Sequence, residues 1–264
     1  MLVLYHAYNS VCSQKVRLAL FEKGVDWSGV ILNLSQGDQF RPEYIKMNPS
    51  AVVPTLKHDG RVVIESSVIN EYIDDAFDGP PLKTPDAYGR ALTRLWTKQL
   101  DEGVHVMVNT LSFAIALRLP VVAMTPSMRE SRINGIPDPV RRAKMREMVE
   151  RGLDSPLVDG ALARFDKLFG DMETQLATTS WLAGETYSLA DIGLAAYVHR
   201  LDRVGLSPMW TRKRPRLTTW YQRLRARPAF DKAFRDFELP EQVTLMTDAG
   251  VKAWQVIEKK LNAL

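Results

Sequence analysis

The sequence predicts a small α/β domain followed by a larger all-helical domain. An apolar run, a helical pattern and a second apolar run follow one another near the N-terminus, and Asp59-Gly60 separates two short β-rich runs further along. Beyond a Pro- and Gly-rich stretch no alternating strand pattern recurs. We place the α/β domain at residues 1–80, a linker at 81–88 and the helical domain at 89–264.

The α/β domain is predicted to begin with strand, helix and strand. The run "LVLY" is typical of a buried strand, and the next residues change to helical spacing through Val16, Ala19 and Leu20. A basic last turn and Gly24 end this helix. The apolar run "GVILNL" follows, and a strand–helix–strand order implies a parallel pair of strands.

A hairpin and a helix complete the predicted domain. In "TLKHDGRVVI" the Asp59-Gly60 pair lies between two short β-rich runs, which is a strong signal for a tight hairpin. "SSVINEYIDDAF" then has the pattern of an amphipathic helix. The predicted order is therefore βαβ followed by ββα.

The helical domain is predicted to be interrupted by prolines. The stretch 118–160 is interpreted as a long connection with at least one helix of its own. The last twenty-five residues are interpreted as a polar tail that ends in a short amphipathic helix. Either segment could cover a cleft or be peripheral. The interrupting prolines are Pro120, Pro126, Pro137, Pro139 and Pro156.

The charge of the chain permits anionic ligands but does not indicate a nucleic-acid partner. There are 35 basic and 31 acidic residues, for a net charge of +4. The densest basic stretch, residues 212–227, also carries apolar residues at helical spacing. We interpret it as a solvated helix face in preference to a phosphate-binding patch.

The cysteine and histidine content argues against covalent or metal cross-links. Cys12 is the only cysteine, which excludes an intramolecular disulfide and suits a reducing, cytoplasmic compartment. The 4 histidines show no ligand spacing on one element, so no metal is expected.

The N-terminal run turns polar by His6, unlike a signal peptide. The longest apolar stretch contains Arg118 and Pro120 and is too short to span a bilayer, so no membrane span is expected.

Two serines stand where the first helix is predicted to begin, in "YNSVCSQKVRLAL". Ser10 and Ser13 occupy the ends of a frame that in redox proteins carries two cysteines. A serine at this position is commonly an N-cap. Because helix N–H groups and the positive end of the helix dipole converge there, its hydroxyl could instead donate to a bound anion such as a thiolate.

Two further motifs flank the predicted hairpin. Val53-Pro54 leads into the third strand; a trans bond is the default, and a cis bond would expose the Val53 backbone to a ligand. Glu65-Ser66 stands between the fourth strand and a helix. Ser66 would be an N-cap with an acidic companion, or the pair would receive the head group of an α-amino acid.

The order of these three motifs resembles the thioredoxin-like domain of the cytosolic glutathione transferases. "YNSVCSQKVRLAL" is similar to the serine-type motif of that superfamily, and "NPSAVVPTL" and "ESSVINEYI" resemble its Val-Pro and Glu-Ser segments. The resemblance covers nearly the whole chain and includes a capping box, Ser188-x-x-Asp191, in the helical part. Within the superfamily the chain looks most like the bacterial lignin-degrading β-etherases and their relatives.

The resemblance implies that a serine hydroxyl activates the glutathione thiol. Lowering a thiol pKa of roughly 8.5 by about two units requires only about 2.7 kcal/mol of preferential stabilisation. Ser10 matches the catalytic serine of the zeta-type members and Ser13 that of the β-etherases; we favour Ser10 and keep both. Tyr8 is expected to line the acceptor pocket, and Cys12 to be partly buried and inert.

The resemblance also implies where glutathione binds. Glu65 and Ser66 would hold its γ-glutamyl end, and the Val53 backbone beside Pro54 would pair with its cysteinyl unit. Gln39, with Lys57 or a neighbour, would meet its glycyl end. These assignments follow from the family motifs alone.

The second substrate is expected to be a hydrophobic or aromatic electrophile, with aromatic β-ethers as a candidate class. His105, Asn109, Ser112 and Phe113 can share one face of the first long helix, as substrate contacts or as core residues. A homodimer is also implied. The rival hypotheses are an interaction module that has lost glutathione and a thiol-disulfide oxidoreductase, which the serine frame disfavours.

Overall fold

The N-terminal elements form the predicted strand–helix–strand unit. The structure is a computed structural model that describes residues 1–136 and 138–264. Strand β1 (Leu2–His6) pairs in parallel with β2 (Ser28–Ile31), and helix α1 (Val11–Lys23) connects them. The helix ends at Gly24, whose φ of 72° is the left-handed conformation of a C-terminal cap. All four residues of β2 are exposed, because it is the edge strand of the sheet.

The hairpin and the following helix also form as predicted. Strands β3 (Thr55–His58) and β4 (Arg61–Ile64) are antiparallel, and Asp59 and Gly60 between them both have positive φ. β3 pairs antiparallel with β1, so the sheet order is β2-β1-β3-β4. A short helix α2 (Pro42–Ile45) precedes β3, and α3 (Ser66–Ala76) follows β4. The predicted thioredoxin-like βαβ-ββα domain is thereby confirmed.

The predicted linker is anchored by hydrogen bonds. The backbone N–H groups of Leu82 and Lys83 donate to the Asp74 carboxylate at 2.8 and 3.1 Å. The carbonyl of Leu82 accepts a hydrogen bond from the Leu189 N–H at 2.8 Å. Helix α4 begins at Ala87. The boundaries 1–80, 81–88 and 89–264 stay a prediction.

The remainder of the described chain is helical, as predicted. Several expected helix breakers begin helices instead, because proline is well tolerated in the first helical turn. Pro120 lies within a helix, and Pro137 lies outside the described residues. The helices are α4 (Ala87–Gln99), α5 (His105–Ser112), α6 (Arg118–Val122), α7 (Pro126–Asn134), α8 (Pro139–Arg151), α9 (Pro156–Gln175), α10 (Leu189–Arg203), α11 (Pro208–Thr211), α12 (Pro215–Arg225), α13 (Pro228–Ala233) and α14 (Pro240–Asn262).

Helices α4 to α6 follow one another with two π-helical turns between them. These turns span Leu100–Val104 and Phe113–Leu117. The first contains a kink, since Gly103 has a φ of 135°. By length and composition the helical run Ala87–Val122 is apolar enough to cross a membrane. Core helices of soluble proteins meet the same criterion, and 44% of the most apolar window of this run is buried.

The chain packs into two compact units. The first comprises Met1–Asp101, Thr174–Val198 and Thr218–Leu239. The second comprises Glu102–Glu173, His199–Leu217 and Pro240–Leu264. The first unit therefore contains the sheet together with α4, most of α10 and α12, and α13.

The C-terminal segment is one long helix rather than a polar tail with a short helix. Helix α14 has 23 residues and buries the side-chain face of Met246, Ala249, Ala253 and Ile257. Gly250 on the same face lies against Val204, and the backbones approach so closely that a Cβ would be 2.4 Å from the Val204 carbonyl oxygen. Apolar burial along this face explains why the helix extends so far.

In the stretch 118–160, the described residues form the helices α6 to α8 and the start of α9. They enclose a small apolar cluster of Val121, Ile133 and Val149, against which Phe113 packs. The Arg118 guanidinium donates to the Val149 carbonyl at 2.8 Å. The described residues of this connection therefore belong to the second unit.

The basic stretch at 212–227 is paired with carboxylates. Arg214 contacts Asp166 at 2.7 Å in the second unit. In the first unit Arg227 contacts Glu22 at 2.6 Å, with both guanidinium nitrogens donating. These pairings favour the helix-face interpretation over a phosphate-binding patch.

Candidate active site

The pairing of the strands brings the three sequence motifs to one end of the sheet. Tyr5 of β1 stands opposite Thr55 of β3, and Thr55 stands opposite Ile64 of β4. The chain leaves β1 toward Ser10, enters β3 from Val53-Pro54 and leaves β4 into Glu65-Ser66. Neighbouring strands lie about 4.8 Å apart, so the three segments emerge side by side.

Ser10 caps helix α1. Its hydroxyl oxygen accepts a hydrogen bond from the Ser13 N–H at 3.2 Å, and no acidic residue stands in the first turn. This bond uses one oxygen lone pair, so the hydroxyl hydrogen stays available for donation. The N-cap role and a donor role are therefore compatible at Ser10, which is partly exposed.

Ser13 is enclosed by the protein. Its side chain has no solvent exposure, and its oxygen accepts a hydrogen bond from the Ala7 N–H at 3.3 Å. Ala7 lies in the turn between β1 and α1. Ser13 thus ties the helix to that turn.

The segment before β3 is held by two buried side chains. The Tyr44 hydroxyl donates to the Val52 carbonyl at 2.6 Å, and the Asn48 amide donates to the same carbonyl at 2.9 Å. Both side chains also contact the Thr55 hydroxyl. The Val53-Pro54 bond is cis, so the default expectation of trans is wrong. The sequence could not decide this, because the trans preference of an X–Pro bond is only about 0.5–1 kcal/mol.

Glu65 occupies the N-cap position of α3, and Ser66 is the first helical residue. The expected N-cap role of Ser66 is therefore wrong by one position. Glu65 has a φ of 67°, a conformation that non-glycine residues rarely adopt, and its carboxylate caps no helix N–H. Residues held in such conformations concentrate at ligand sites.

A buried lysine of α1 reaches the start of α3. Lys15 is only 1% exposed, and its ammonium donates to the Ser67 hydroxyl at 2.9 Å. Ser67 in turn donates to Asp101 at 3.2 Å. Burial lowers the pKa of Lys15, while Cys12, Asp101 and Glu65 act in the opposite direction. Lys15 thus links α1 to the first turn of α3 through Ser67.

Cys12 is partly buried, as expected, and hydrogen-bonds to the Tyr197 side chain. Burial raises the pKa of the Tyr197 hydroxyl well above its usual range, and the neighbouring Cys12 acts in the same direction. Tyr8 is 37% exposed in the turn that carries Ser10.

Gln39 is oriented toward its own loop. Its amide nitrogen lies 3.4 Å from the Leu34 carbonyl, and among the described residues its buried side-chain oxygen has no partner. Lys57 is half-buried within β3. Of the three parts of glutathione, the glycyl end is the one for which the predicted residues are least well oriented for binding.

The helix residues predicted to contact a second substrate belong to the second unit. The His105 ring and the Asn109 amide lie 3.0 Å apart on one helix face, as their spacing predicts. Ser112 is fully buried, and Phe113 packs against the apolar cluster of α6 to α8. For these last two residues the geometry favours the core alternative.

Among residues 1–136 and 138–264 no group of three or more His, Cys, Asp and Glu side chains could hold a metal ion. The first unit instead offers a hydroxyl donor at a helix N-terminus, a turn with a cis proline and a carboxylate beside a second helix. Such a set can receive an amino-acid head group and stabilise a thiolate. Comparisons with known proteins identify the family.

Residues 4–81 match the glutathione S-transferase N-terminal domain and residues 155–223 the C-terminal domain. The chain is 33% identical to Protein LigF of Sphingobium sp. (strain NBRC 103272 / SYK-6) over 88% of this chain and 93% of that protein. The chain belongs to the glutathione S-transferase family. It is an enzyme that uses glutathione as its co-substrate.

Structural comparison supports the same assignment. The transferase superposes on the crystal structure of the β-etherase LigF with a TM-score of 0.79, at 32% identity and over 89% of this chain and 99% of that chain. It is also 29% identical to the tetrachloro-p-hydroquinone reductive dehalogenase of Sphingobium chlorophenolicum, over 87% of this chain and 94% of that protein. The fold is that of a glutathione transferase throughout the matched residues.

Sequence reasoning missed the residues that hold the site in place. Lys15, Tyr44 and Asn48 were recognisable only as parts of helical patterns or turns. The four-residue spacing of Tyr44 and Asn48 ahead of a proline was a weak signal that both could face the same turn. Their partners become visible only when the strands are paired.

Proposed function

We propose that this transferase uses the Ser10 hydroxyl to stabilise the glutathione thiolate and transfers it to an aromatic electrophile, with aromatic β-ethers as the first substrate class. One observation carries the proposal: the strand register aligns the ends of β1, β3 and β4 where the three motifs emerge. A tripeptide laid across these strand ends can meet a donor, a backbone edge and a carboxylate in succession.

In this proposal Glu65 binds the ammonium of the γ-glutamyl unit and Ser66, at the N-terminus of α3, binds its carboxylate. The Val53 backbone beside Pro54 pairs with the cysteinyl unit, which directs the sulfur toward α1. Gln39 is assigned to the glycyl end. To bind there, its side-chain amide has to turn away from the Leu34 carbonyl of its own loop.

Ser10 is the better thiolate donor for two reasons. Its hydroxyl is partly exposed and uses only its oxygen in the helix cap, whereas Ser13 is fully buried and bonded to the turn. The positive end of the α1 dipole adds to the stabilisation of an anion at this position. Ser13 is assigned the role of holding the turn.

The relatives guide the choice of the second substrate. LigF is described as a β-etherase, and the Sphingobium chlorophenolicum relative as a dehalogenase of a chlorinated hydroquinone. Tyr8, His105 and Asn109 are each proposed as contacts for such an aromatic compound. Phe113 is proposed to support the helix run that carries His105 and Asn109 through its packing.

The proposed ether cleavage is a balanced displacement. The glutathione thiolate attacks the carbon that bears the aryloxy group, a C–S bond forms and the C–O bond breaks with its electron pair on oxygen. The leaving phenolate takes up a proton from solvent. No oxidant or reductant is consumed.

We further propose a cytoplasmic homodimer that binds neither nucleic acid nor membranes.

Titration of the bound thiol tests the proposal. Thiolate absorbance of glutathione bound to wild type, Ser10→Ala and Ser13→Ala would be followed against pH. We expect a midpoint well below that of free glutathione in wild type and its loss in Ser10→Ala. Wild-type turnover by both variants would overturn the hydroxyl mechanism, and absence of glutathione binding would favour a non-catalytic interaction module.

Substrate class is tested in parallel with an aryl β-ether and a chlorinated hydroquinone. Release of the free phenol and formation of the glutathione thioether would support β-ether cleavage. Turnover of the halide alone would assign the transferase to dehalogenation. Because thiol titration needs no second substrate, this result is independent of the Ser10 test.

A further inference from the structure

A buried arginine connects the turn that carries Ser10 to a segment near the C-terminus. Arg17 lies in α1 and has no solvent exposure. Its side chain contacts the β1–α1 turn and the end of α13, two segments of the first unit. Burial lowers the pKa of Arg17 to about 9, so the guanidinium stays charged at neutral pH.

The guanidinium donates to backbone carbonyls on both sides. Its Nε donates to the Ala233 carbonyl at 2.8 Å. Its two terminal nitrogens donate to the Ala7 and Tyr8 carbonyls at 3.1 and 3.2 Å. The planar fork of an arginine suits such divergent acceptors, because its donors are fixed relative to one another.

An aromatic ring covers the guanidinium. The Phe237 ring centroid lies 4.2 Å from the Arg17 Cζ, within the range of a cation–π contact. The same ring lies 5.4 Å from the His6 ring and 6.4 Å from the Tyr8 ring. Phe237 ends a short helical turn, Arg235–Phe237, beyond the part of the chain that matches either transferase domain family.

The β1–α1 turn is also hydrogen-bonded to Ser10, the proposed donor, and to Ser13. The Ala7 carbonyl that accepts from Arg17 also accepts from the Ser10 N–H at 3.5 Å. The Ala7 N–H donates to the Ser13 hydroxyl at 3.3 Å. Movement of Ala7 would therefore be passed to both serines.

We propose that Arg17 and Phe237 form a clasp that holds the β1–α1 turn and thereby positions the Ser10 hydroxyl for the glutathione sulfur. The proposal rests on the proposed role of Ser10. Both residues are positioning residues, since they act through Ala7 and Tyr8 and not on the substrate.

The clasp matters because a hydroxyl–thiolate bond depends steeply on geometry. Hydrogen bonds weaken quickly as the donor moves out of line, and a misplacement of about 1 Å can cost on the order of 100-fold in rate. The hydrogen bond from the Ser13 N–H to the Ser10 hydroxyl fixes that side chain against the helix, while the clasp fixes the turn from the opposite side.

The test replaces the ring and keeps the rest. Phe237→Leu retains an apolar side chain and removes the ring face, and Phe237→Tyr restores the ring. Arg235→Ala is the matched control on the same turn, since its side chain is exposed and pairs with Asp231. Each variant would be assayed for the thiol titration midpoint of bound glutathione, for kcat, and for affinity toward S-methylglutathione, which has no thiol proton.

We expect Phe237→Leu to raise the thiol midpoint by about half a unit or more, which is about a threefold shift in the thiol ionisation constant. We expect kcat to fall and S-methylglutathione affinity to stay within about twofold of wild type. Phe237→Tyr and Arg235→Ala should match wild type.

The decisive measurement repeats Phe237→Leu in a Ser10→Ala background. If the ring acts through Ser10, the thiol midpoint and kcat of the double variant equal those of Ser10→Ala. A lower melting temperature with a wild-type thiol midpoint, or the same effect with and without Ser10, would overturn the clasp. If wild type itself binds glutathione without lowering its thiol pKa, the proposed role of Ser10 is wrong, and the clasp is wrong with it. This outcome is seen in wild type alone, so it differs from a failure of the clasp, which is seen only in the Phe237→Leu variants.

Discussion

The indole N–H of Trp220 donates a hydrogen bond to the Asp191 carboxylate at 2.8 Å, and both side chains are fully buried. Asp191 also accepts from the Leu182 and Ser188 N–H groups at 3.1 and 3.0 Å. The capping box found in the sequence is thus extended by a partner on α12, 29 positions away. Burial of a carboxylate costs free energy unless hydrogen-bond donors replace the water that it has lost, and these three N–H groups are such donors.

Trp220→Phe should therefore destabilise the protein. Removal of one donor to a buried carboxylate is expected to lower the free energy of unfolding by about 1.5–3 kcal/mol. Trp254→Phe is the control, because the buried Trp254 N–H has no partner among the described residues and its loss should change stability by less than about 0.5 kcal/mol. Urea unfolding measures both. Equal losses in the two variants would contradict a specific Trp220–Asp191 bond.

His6 should make stability depend on acid pH. Burial, and secondarily the charge of Arg17, lower the pKa of His6 from 6.5 to about 4. The unfolded chain therefore binds a proton first as the pH falls, so stability that is present above pH 6.5 is lost toward pH 4, by up to about 3 kcal/mol.

Comparison with His6→Asn isolates this effect. Asp191 acts in the opposite direction, because burial raises its pKa from 3.8 to about 6 and stability falls as the pH rises between those values. The difference between wild type and His6→Asn cancels that contribution. A difference in unfolding free energy that does not change between pH 6.5 and 4 would show that His6 titrates normally.

Docking of α14 should depend on a glycine. A Cβ on Gly250 would lie 2.4 Å from the Val204 carbonyl oxygen and 2.8 Å from the Gly205 Cα, so Gly250→Ala should cost about 1–3 kcal/mol. Gly160→Ala in α9 meets nothing within 4 Å and should instead stabilise by about 0.5–1 kcal/mol through helix propensity. Thermal unfolding separates the two. A neutral Gly250→Ala would mean that α14 packs more loosely.

Glu65→Gln should weaken glutathione binding more than it slows turnover. Loss of a charge-assisted contact to the ammonium is expected to cost about 1.5–3 kcal/mol, which corresponds to about 10- to 100-fold in Kd. Glu71→Gln is the control on the same helix, because Glu71 pairs with Arg94 and is not one of the predicted glutathione contacts. Calorimetric titration with S-methylglutathione would reject the Glu65 assignment if both variants bind like wild type.

Much of the fold was readable from local sequence. The Asp59-Gly60 turn, the capped end of α1 at Gly24 and the apolar face of α3 each depend on residues close together in the chain. The order of Ser10, Val53-Pro54 and Glu65-Ser66 then indicated the family. Helix α14 was underestimated, because its buried face contains Ala249, Gly250 and Ala253, which look only weakly apolar as a sequence.

The candidate site was readable in its motifs and not in its geometry. The sequence left Ser10 and Ser13 as nearly equal candidates, and the burial of Ser13 supports the proposal that Ser10 is the donor. By its spacing Phe113 could be a substrate contact or a core residue, and its packing against residues of α6 to α8 favours the second alternative. A side chain's accessibility depends on what the rest of the chain places over it.

By itself the sequence determined the βαβ-ββα order of the first domain, the transferase family and the identity of the motif residues, since these follow from short-range patterns. Only the tertiary structure decided the cis bond at Val53-Pro54, the enclosure of Lys15 and the bond from Arg17 to Ala233, which spans 216 positions. Local propensities act over a few residues, whereas burial and long-range hydrogen bonds are defined only once distant segments have packed together.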